Sequence, residues 1–194
     1  VINFLSLPSV VIKNSKRWDI FVYDYAMNIF RNIPLNSIVL SDRADESEFM
    51  ITYFQRLHNI RKDIEFIDCN ASVTRSIYGP DYYKIWGERR LEIRSRVESE
   101  LIKNSENEVL YSTVLPEQTL TKKYKFGLLF HTKLLDVAIP FDIFITRKIV
   151  DSKQPREFGL YMTYLNLLAN YYFELGNKIP EFLEISKKLY TEMY

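Results

Sequence analysis

The pattern of apolar and polar positions predicts helices and strands in turn along the first half of the chain. Residues 18–33 have helical periodicity and end before Pro34, which cannot continue a helix. Residues 37–40 form a short, β-branched and apolar run that is typical of a buried strand. A polar turn, a helix over 47–60 and a second strand over 64–67 follow. A strand, a helix and a strand within about 30 residues form a βαβ unit, whose two strands are parallel.

Apolar stripes indicate which side of each helix faces a sheet. In the helix over 47–60, the apolar side is formed by Phe49, Tyr53, Phe54 and Leu57. A charged helix is predicted over 82–104, and its apolar stripe consists of Trp86, Ile93, Val97 and Leu101. Both stripes predict that one face of each helix covers the sheet.

Two further strands, over 108–113 and 124–131, complete the predicted sheet. The segment 136–155 has no clear period and is left unassigned. The predicted fold class is therefore α/β: a small, mainly parallel sheet of about four strands flanked by helices. We expect a Rossmann-like domain over residues 1–157.

The C-terminal part, residues 158–194, is predicted to be a pair of helices. Gly176 has the place of a left-handed residue after the first helix, and Pro180 has the place of a first-turn residue in the second. The spacing resembles the first helix of a tetratricopeptide repeat at Leu165, Leu168, Ala169, Tyr172 and Gly176. An ordinary packed face is the alternative, since Glu181 replaces the usual Ala. One such hairpin cannot bury its own face, so we expect it to pack on the first part; the alternative is that it leads into further repeats beyond Tyr194.

Composition and charge narrow the classes of function. An apolar fraction of 47% is typical of a globular protein, and 26 basic against 25 acidic residues provide no basic excess for binding nucleic acid. The single Cys69 and the distant His58 and His131 form no CxxC or HExxH motif. The glycines are too far apart for a phosphate-binding loop: Gly79, Gly87, Gly127, Gly159 and Gly176. No cofactor, no metal and no catalytic residue is predicted.

Acidic side chains follow the two predicted parallel strands. Asp42, Asp45 and Glu46 follow the first strand, and Asp68 and Asn70 follow the second. Open α/β sheets bind ligands at the carboxyl ends of their strands, so these five residues are the candidate ligand-binding residues. Carboxylates there suit a divalent cation or sugar hydroxyl groups. The alternative is a capped helix start and a polar turn.

Aromatic residues are dense just before the charged helix. Tyr78, Tyr82, Tyr83 and Trp86 lie within nine residues. Such rings can stack on a sugar ring, and the alternative is that they pack in the core or at a subunit contact.

Ordered motifs run through the segment from Asp24 to Asn70. D-Y-A-x-N lies in the first helix, P-x-N-S-I leads into the first strand, an acidic loop follows, and Y-x-Q and R-x-D precede the second strand. In order and spacing this segment resembles the soluble part of the multi-spanning membrane proteins of the protein O-mannosyltransferase-like family. The acidic loop departs from the family pattern by one extra residue. The motif positions expected to be structural are Asp24, Tyr25, Asn28, Pro34, Asn36, Arg61 and Asp63.

The resemblance implies a non-catalytic extramembrane accessory domain of a membrane-embedded glycosyltransferase. Such a domain would position an acceptor or support the transmembrane part, on the extracytoplasmic face of the membrane. It implies that the full-length protein is the enzyme, and that this chain, which begins at Val1, is part of it. The expected partners are the transmembrane portion of the same polypeptide and an acceptor protein.

Two other functions stay open from the residues alone. The first is an independent small α/β enzyme, or a sugar- or nucleotide-binding module, that uses the edge formed by Asp42, Asp45 and Asp68. The second is a tetratricopeptide-like protein-interaction module built on the C-terminal helices. Donor sugar, acceptor and oligomeric state have no signal in the sequence.

Overall fold

The computed structural model describes residues 21–41, 46–70, 76–112, 123–133, 138–144 and 155–193. The helices are α1 (Phe21–Asn32), α2 (Glu46–Leu57), α3 (Glu88–Asn104), α4 (Pro155–Gly176) and α5 (Glu181–Met193). The strands are β1 (Ile38–Ser41), β2 (Glu65–Asp68), β3 (Val109–Tyr111), β4 (Tyr124–Phe126) and β5 (Leu129–His131). Short 3₁₀ turns lie at Tyr82–Lys84 and Phe141–Ile143.

The strands form one mixed sheet in the order β2-β1-β3-β5-β4. β1 pairs in parallel with both β2 and β3, so Leu40 lies opposite Ile67 on one side and Tyr111 on the other. β5 is antiparallel to β3 and to β4. The α/β class is confirmed. The prediction of a mainly parallel sheet of about four strands is wrong, because the described sheet has five strands and its second half is antiparallel.

The predicted strand count is too low because residues 124–131, which are predicted to be one strand, form a hairpin of two strands. Gly127 has φ +58° and, with Leu128, makes the two-residue connection between β4 and β5. The side-chain amide of Asn32 packs against Gly127 and donates to the Phe126 carbonyl at 2.8 Å. A Cβ at position 127 would collide with that amide. The turn therefore requires glycine for both its backbone angle and its contact with α1.

Alternate side chains of the parallel strands point to opposite faces of the sheet, as strand geometry requires. Val39 and Leu110 belong to the core under α1, α2, α4 and α5. Leu40, Val109 and Tyr111 belong to the core under α3. The crossover after β1 thus covers one face, and the crossover after β2 covers the other.

Helix α2 is rotated relative to its predicted apolar side. Ile51 and Phe54 are buried, and Phe54 packs edge-on against Phe30 of α1 with ring centroids 6.4 Å apart. The other three positions of the predicted side are exposed: Phe49 by 57%, Tyr53 by 46% and Leu57 by 68%. The helix turns its side with Ile51 toward α1 and the sheet, so an apolar stripe is left on the surface.

Helix α3 begins six residues later than predicted. Gly87, with φ +65°, is its N-cap residue, which leaves Trp86 outside the helix and 77% exposed. The rest of the predicted stripe packs on the core as expected: Ile93, Val97 and Leu101. Trp86 is consequently a surface residue at the start of α3.

Helices α4 and α5 share the core of the sheet. Tyr164 packs edge-on against Tyr25 of α1 at 5.9 Å between ring centroids, and the Ser186 hydroxyl of α5 donates to the Ala169 carbonyl at 2.9 Å. Gly176 does not adopt the predicted left-handed conformation. A Cβ there would lie 3.0 Å from the Leu183 backbone, so the glycine permits the close approach of the two helices. The boundary at residue 157 stays a prediction.

Candidate functional site at the carboxyl edge of the sheet

The parallel strands end side by side at the edge where a ligand was predicted. Ser41 of β1 lies opposite Asp68 of β2, and the Ser112 amide just after β3 donates to the Leu40 carbonyl at 3.0 Å. The Ser112 hydroxyl donates to the Ser41 hydroxyl at 3.0 Å, and both residues are buried. The connection after β1 covers one face of the sheet and the connection after β2 covers the other, so the strand order β2-β1-β3 places the topological switch point, where α/β proteins bind ligands, at this edge.

Of the five predicted ligand-binding residues, Asp68 and Asn70 are described at this edge. Asp42 and Asp45 lie outside the described residues, and Glu46 is the first residue of α2. Asp68 is buried, and its Oδ1 accepts the Asn70 amide at 2.8 Å, which closes a tight turn after β2. Within the described residues, no group of three His, Cys, Asp or Glu side chains is arranged to hold a metal ion. The candidate ligand site at these five residues stays a prediction.

An arginine that the sequence did not single out lies at this edge. The Arg90 guanidinium carbon lies 4.3 Å from the Tyr82 ring centroid and 5.6 Å from the Trp86 ring. Arg90 also donates to the Ile85 carbonyl and to Asn70 Oδ1, both at 3.4 Å. The only sequence signal is the spacing: Tyr82, Trp86 and Arg90 are four residues apart, and the break at Gly87 obscures it. A cation therefore lies against two rings of the aromatic run, Tyr82 and Trp86.

A buried polar network lies beneath these rings. Glu98 of α3 accepts the Arg94 Nε–H at 2.5 Å and the Tyr78 hydroxyl at 2.9 Å on one oxygen, and the Tyr111 hydroxyl at 2.8 Å on the other. The side chains of Arg94 and Glu98 are only 5% and 2% exposed. The network ties the 76–87 connection to α3 and β3, and so holds the aromatic rings above it in place.

The electrostatics of the network favour fixed hydrogen bonds. Burial raises the pKa of the Tyr78 hydroxyl, and the neighbouring Cys69 and Glu98 add to this shift. Burial likewise raises the pKa of Tyr111, which faces the Glu98 carboxylate. Both hydroxyls therefore stay protonated at neutral pH and act as donors. The Glu98 network therefore serves to hold Tyr78 and Tyr111 in position.

Motif residues from the segment 24–70 form a second hydrogen-bonded cluster, at the amino edge of the sheet. The Arg61 guanidinium donates to the carbonyls of Phe30, Ile33 and Pro34, which end α1. It also pairs with Asp63 at 2.8 Å. These hydrogen bonds from Arg61 lower the pKa of Asp63 to about 2. Arg61 therefore joins the end of α1 to the start of β2.

The remaining motif residues extend this structural role. The Asn36 amide donates to Asp63 Oδ2 at 3.3 Å, and Asn28 Nδ2 donates to the Tyr164 hydroxyl at 2.8 Å. Asp24 and Tyr25 are buried in α1. Asn36 and Arg61 both have positive φ, near +55° and +51°. The structure thus places each of the seven motif residues in the scaffold around α1 and the connections to β1 and β2.

Fold and edge together define the class: an α/β protein whose parallel half is doubly wound, with an antiparallel hairpin added on one side. Comparison of the chain with protein-family models, with curated proteins and with solved structures finds no match. None of the helices in the described ranges has both the length and the apolar character that a membrane crossing requires.

Proposed function

We propose that this chain is a non-catalytic accessory domain of a membrane-embedded glycosyltransferase of the protein O-mannosyltransferase-like type. The resemblance over residues 24–70 supports the family. The bonding of the motif residues supports a scaffold role for them, since Arg61 and Asp63 are engaged in closing the end of α1. The domain is attached to the extracytoplasmic face of the membrane by the transmembrane part of the same polypeptide, and that part is its main partner.

The observation that carries the proposal is the exposed apolar stripe of α2. Phe49, Tyr53 and Leu57 are spaced by four residues and so lie along one side of the helix. Tyr23 of α1 is also exposed, and its ring lies 5.1 Å from that of Phe54 beside the stripe. Exposed apolar side chains grouped along one side of a helix favour an interaction site. Tyr23 lies in the first turn of α1, so this surface includes side chains of both α1 and α2.

Site-specific crosslinking in the full-length membrane protein tests this docking. A photo-crosslinking amino acid at position 49 or 53 should attach the domain to the transmembrane part. Position 173 is the matched control, because Phe173 is an exposed aromatic residue on α4 at 48%. Equal yields from positions 49 and 173 would contradict the proposal. The coding sequence upstream of Val1 should also encode about ten hydrophobic spans.

The isolated chain should have no transferase activity of its own. Lipid-linked mannose and generic peptides, with sugar nucleotides as a second donor set, are the substrates to test. Turnover that survives purification and is lost in Asp45→Asn would overturn the accessory role and favour an enzyme at the acidic edge.

A tetratricopeptide-like role of α4 and α5 is the second candidate. The five positions with repeat-like spacing are all buried, and Tyr172 stacks on Phe182 at 5.5 Å between ring centroids. Phe173 and Ile179 are exposed on the helix pair and offer contacts to a partner protein. Crosslinks from position 173 to a second protein, with none from position 49, would favour this interaction module.

A further inference from the structure

Three side chains at the carboxyl edge form a stacked unit, which we call the Trp86–Arg90 platform. It consists of Tyr82 and Trp86, with the Arg90 guanidinium lying over both rings. Tyr82 is buried and also packs on Tyr78 at 4.4 Å, so the base of the unit is fixed in the core. Trp86 is 77% exposed, which leaves most of the indole to solvent. The unit therefore presents an aromatic ring and a cation next to each other on a rigid base.

Arg90 differs from the other two well-placed arginines in its charge balance. Arg61 pairs with Asp63 and Arg94 pairs with Glu98. In the part of the chain that the structure describes, no carboxylate lies within ion-pair distance of Arg90. Its two hydrogen bonds are long, at 3.4 Å, and both acceptors are neutral. A guanidinium has five N–H donors in a planar fork that suits a phosphate group. Among the described residues, Arg90 thus keeps its charge and its remaining N–H donors for an anion.

The platform lies at the carboxyl edge of the sheet, which is the edge at which this kind of fold binds ligands. Arg90 bonds Asn70, two residues after the end of β2, and it lies in the first turn of α3. The positive end of the helix dipole adds to the charge of Arg90 there. The switch point between β1 and β3 opens at the same edge. The charge of Arg90 and the aromatic surface of Trp86 therefore lie together at the carboxyl edge of the sheet.

We propose that Trp86 and Arg90 bind a ring that carries a phosphate group, from a nucleotide or from a sugar phosphate. The ring stacks on the exposed indole of Trp86, because bases and sugars both pack on aromatic faces. The phosphate oxygens accept hydrogen bonds from the Arg90 guanidinium. The Glu98 network holds the platform in position without touching the ligand. This site does not depend on the accessory role, since it lies on a different surface from the α2 stripe.

Calorimetric titration of the complete chain with small probes tests the proposal. AMP and glucose 1-phosphate are the ring phosphates, and adenosine, glucose and inorganic phosphate are the matched fragments. At least one ring phosphate should bind at least about tenfold more tightly than its fragments, since a charge-assisted bond adds to stacking. Binding of AMP alone would identify a nucleotide source, and binding of glucose 1-phosphate alone a sugar phosphate. Equal affinity for inorganic phosphate, or no binding, would overturn the proposal.

Matched variants locate the site. Arg90→Gln and Trp86→Ala should each weaken ring-phosphate binding by about tenfold or more. Arg89→Gln removes the same charge one residue away, and Tyr83→Ala removes an exposed ring nearby, so both controls should bind as the natural chain does. Unchanged binding in Arg90→Gln would refute the assignment.

An independent measurement covers the case in which a variant fails to fold. NMR spectra of the natural chain, recorded with increasing ring phosphate, should show the largest shifts at the Trp86 indole N–H and at the backbone amides of Asn70 and Arg90. Shifts confined to other surfaces would overturn the proposal.

Discussion

The two faces of the sheet are covered in different ways. Among the described residues, the face under α1, α2, α4 and α5 has a core of 23 buried apolar side chains, whereas the face under α3 has eight. The smaller core contains the buried pair Arg94–Glu98, to which Tyr78 and Tyr111 donate. A single helix buries too little apolar surface to define its position well. On the α3 face, the directional hydrogen bonds to the buried Glu98 carboxylate fix the position of the helix.

A second arginine–carboxylate pair, Arg61–Asp63, lies at the amino edge of the sheet beside the end of α1, and the contrast between the two pairs is informative. Arg61 and Asp63 are 22% and 26% exposed, against 5% and 2% for Arg94 and Glu98. Water still reaches the first pair, so removing one partner leaves a charge that can be solvated. In the second pair, water does not reach the charge that would remain after one partner is removed. Substitutions should therefore cost more on the α3 face.

The largest effect is expected for Glu98→Leu. It removes the buried carboxylate that accepts hydrogen bonds from Arg94 and from two tyrosine hydroxyls, and breaking a buried pair costs about 3–5 kcal/mol. The free energy of unfolding, measured with urea, should fall by this amount. Glu100→Leu, at an exposed position on the same helix, is the control and should change stability by under about 0.5 kcal/mol. A loss below about 1 kcal/mol for Glu98→Leu would contradict the role of the network.

Arg61→Met should have the next largest effect. The carbonyls of Phe30, Ile33 and Pro34 lose a charged donor, and a hydrogen bond to a charged group contributes about 1.5–3 kcal/mol. Because water can replace part of the arginine, we expect a loss of about 2–3 kcal/mol in urea unfolding. Arg56→Met, at an exposed position on α2, should be close to neutral. Equal effects of the two substitutions would refute the structural role of Arg61.

A smaller, pH-dependent effect is expected for Asp63→Asn. The pKa of Asp63 is lowered from 3.8 to about 2 by the hydrogen bonds from Arg61, so the ionised form is favoured in the folded protein. Its contribution to stability is complete above pH 3.8 and is lost as the pH falls toward 2. The difference in melting temperature between the natural chain and Asp63→Asn should shrink across that window. In an Arg61→Met background the shrinkage should become much smaller, since only the weaker hydrogen bonds from backbone amides remain, and undiminished shrinkage there would rule out Arg61 as the main cause.

The smallest effect is expected on the exposed stripe of α2. Leu57→Gln changes a side chain that is 68% exposed, so stability should change by under about 0.5 kcal/mol in urea unfolding. Phe54→Ala, three residues earlier and buried, should cost about 3–5 kcal/mol. Similar losses for both would show that the stripe is buried in solution, and would remove the docking surface.

Local patterns predict the parallel half of the fold well. The βαβ unit from β1 to β2, the end of α1 before Pro34 and the pair α4–α5 all follow from periodicity and from residues that stop helices. The position of Asp68 and Asn70 at the carboxyl edge follows from the same topology. Each of these features depends on neighbours in sequence, which is why the chain itself determines them.

Contacts between distant segments decide the rest. The turn at Gly127 depends on Asn32, and the rotation of α2 depends on which side α1 and the sheet cover. Arg90 reads as one charge among many on α3 until the backbone turn at Gly87 brings Trp86 and Tyr82 beside it. Periodicity along one segment carries no information about which partner packs against it. The sequence therefore determined the elements and their order, whereas the tertiary structure decided which of their side chains meet.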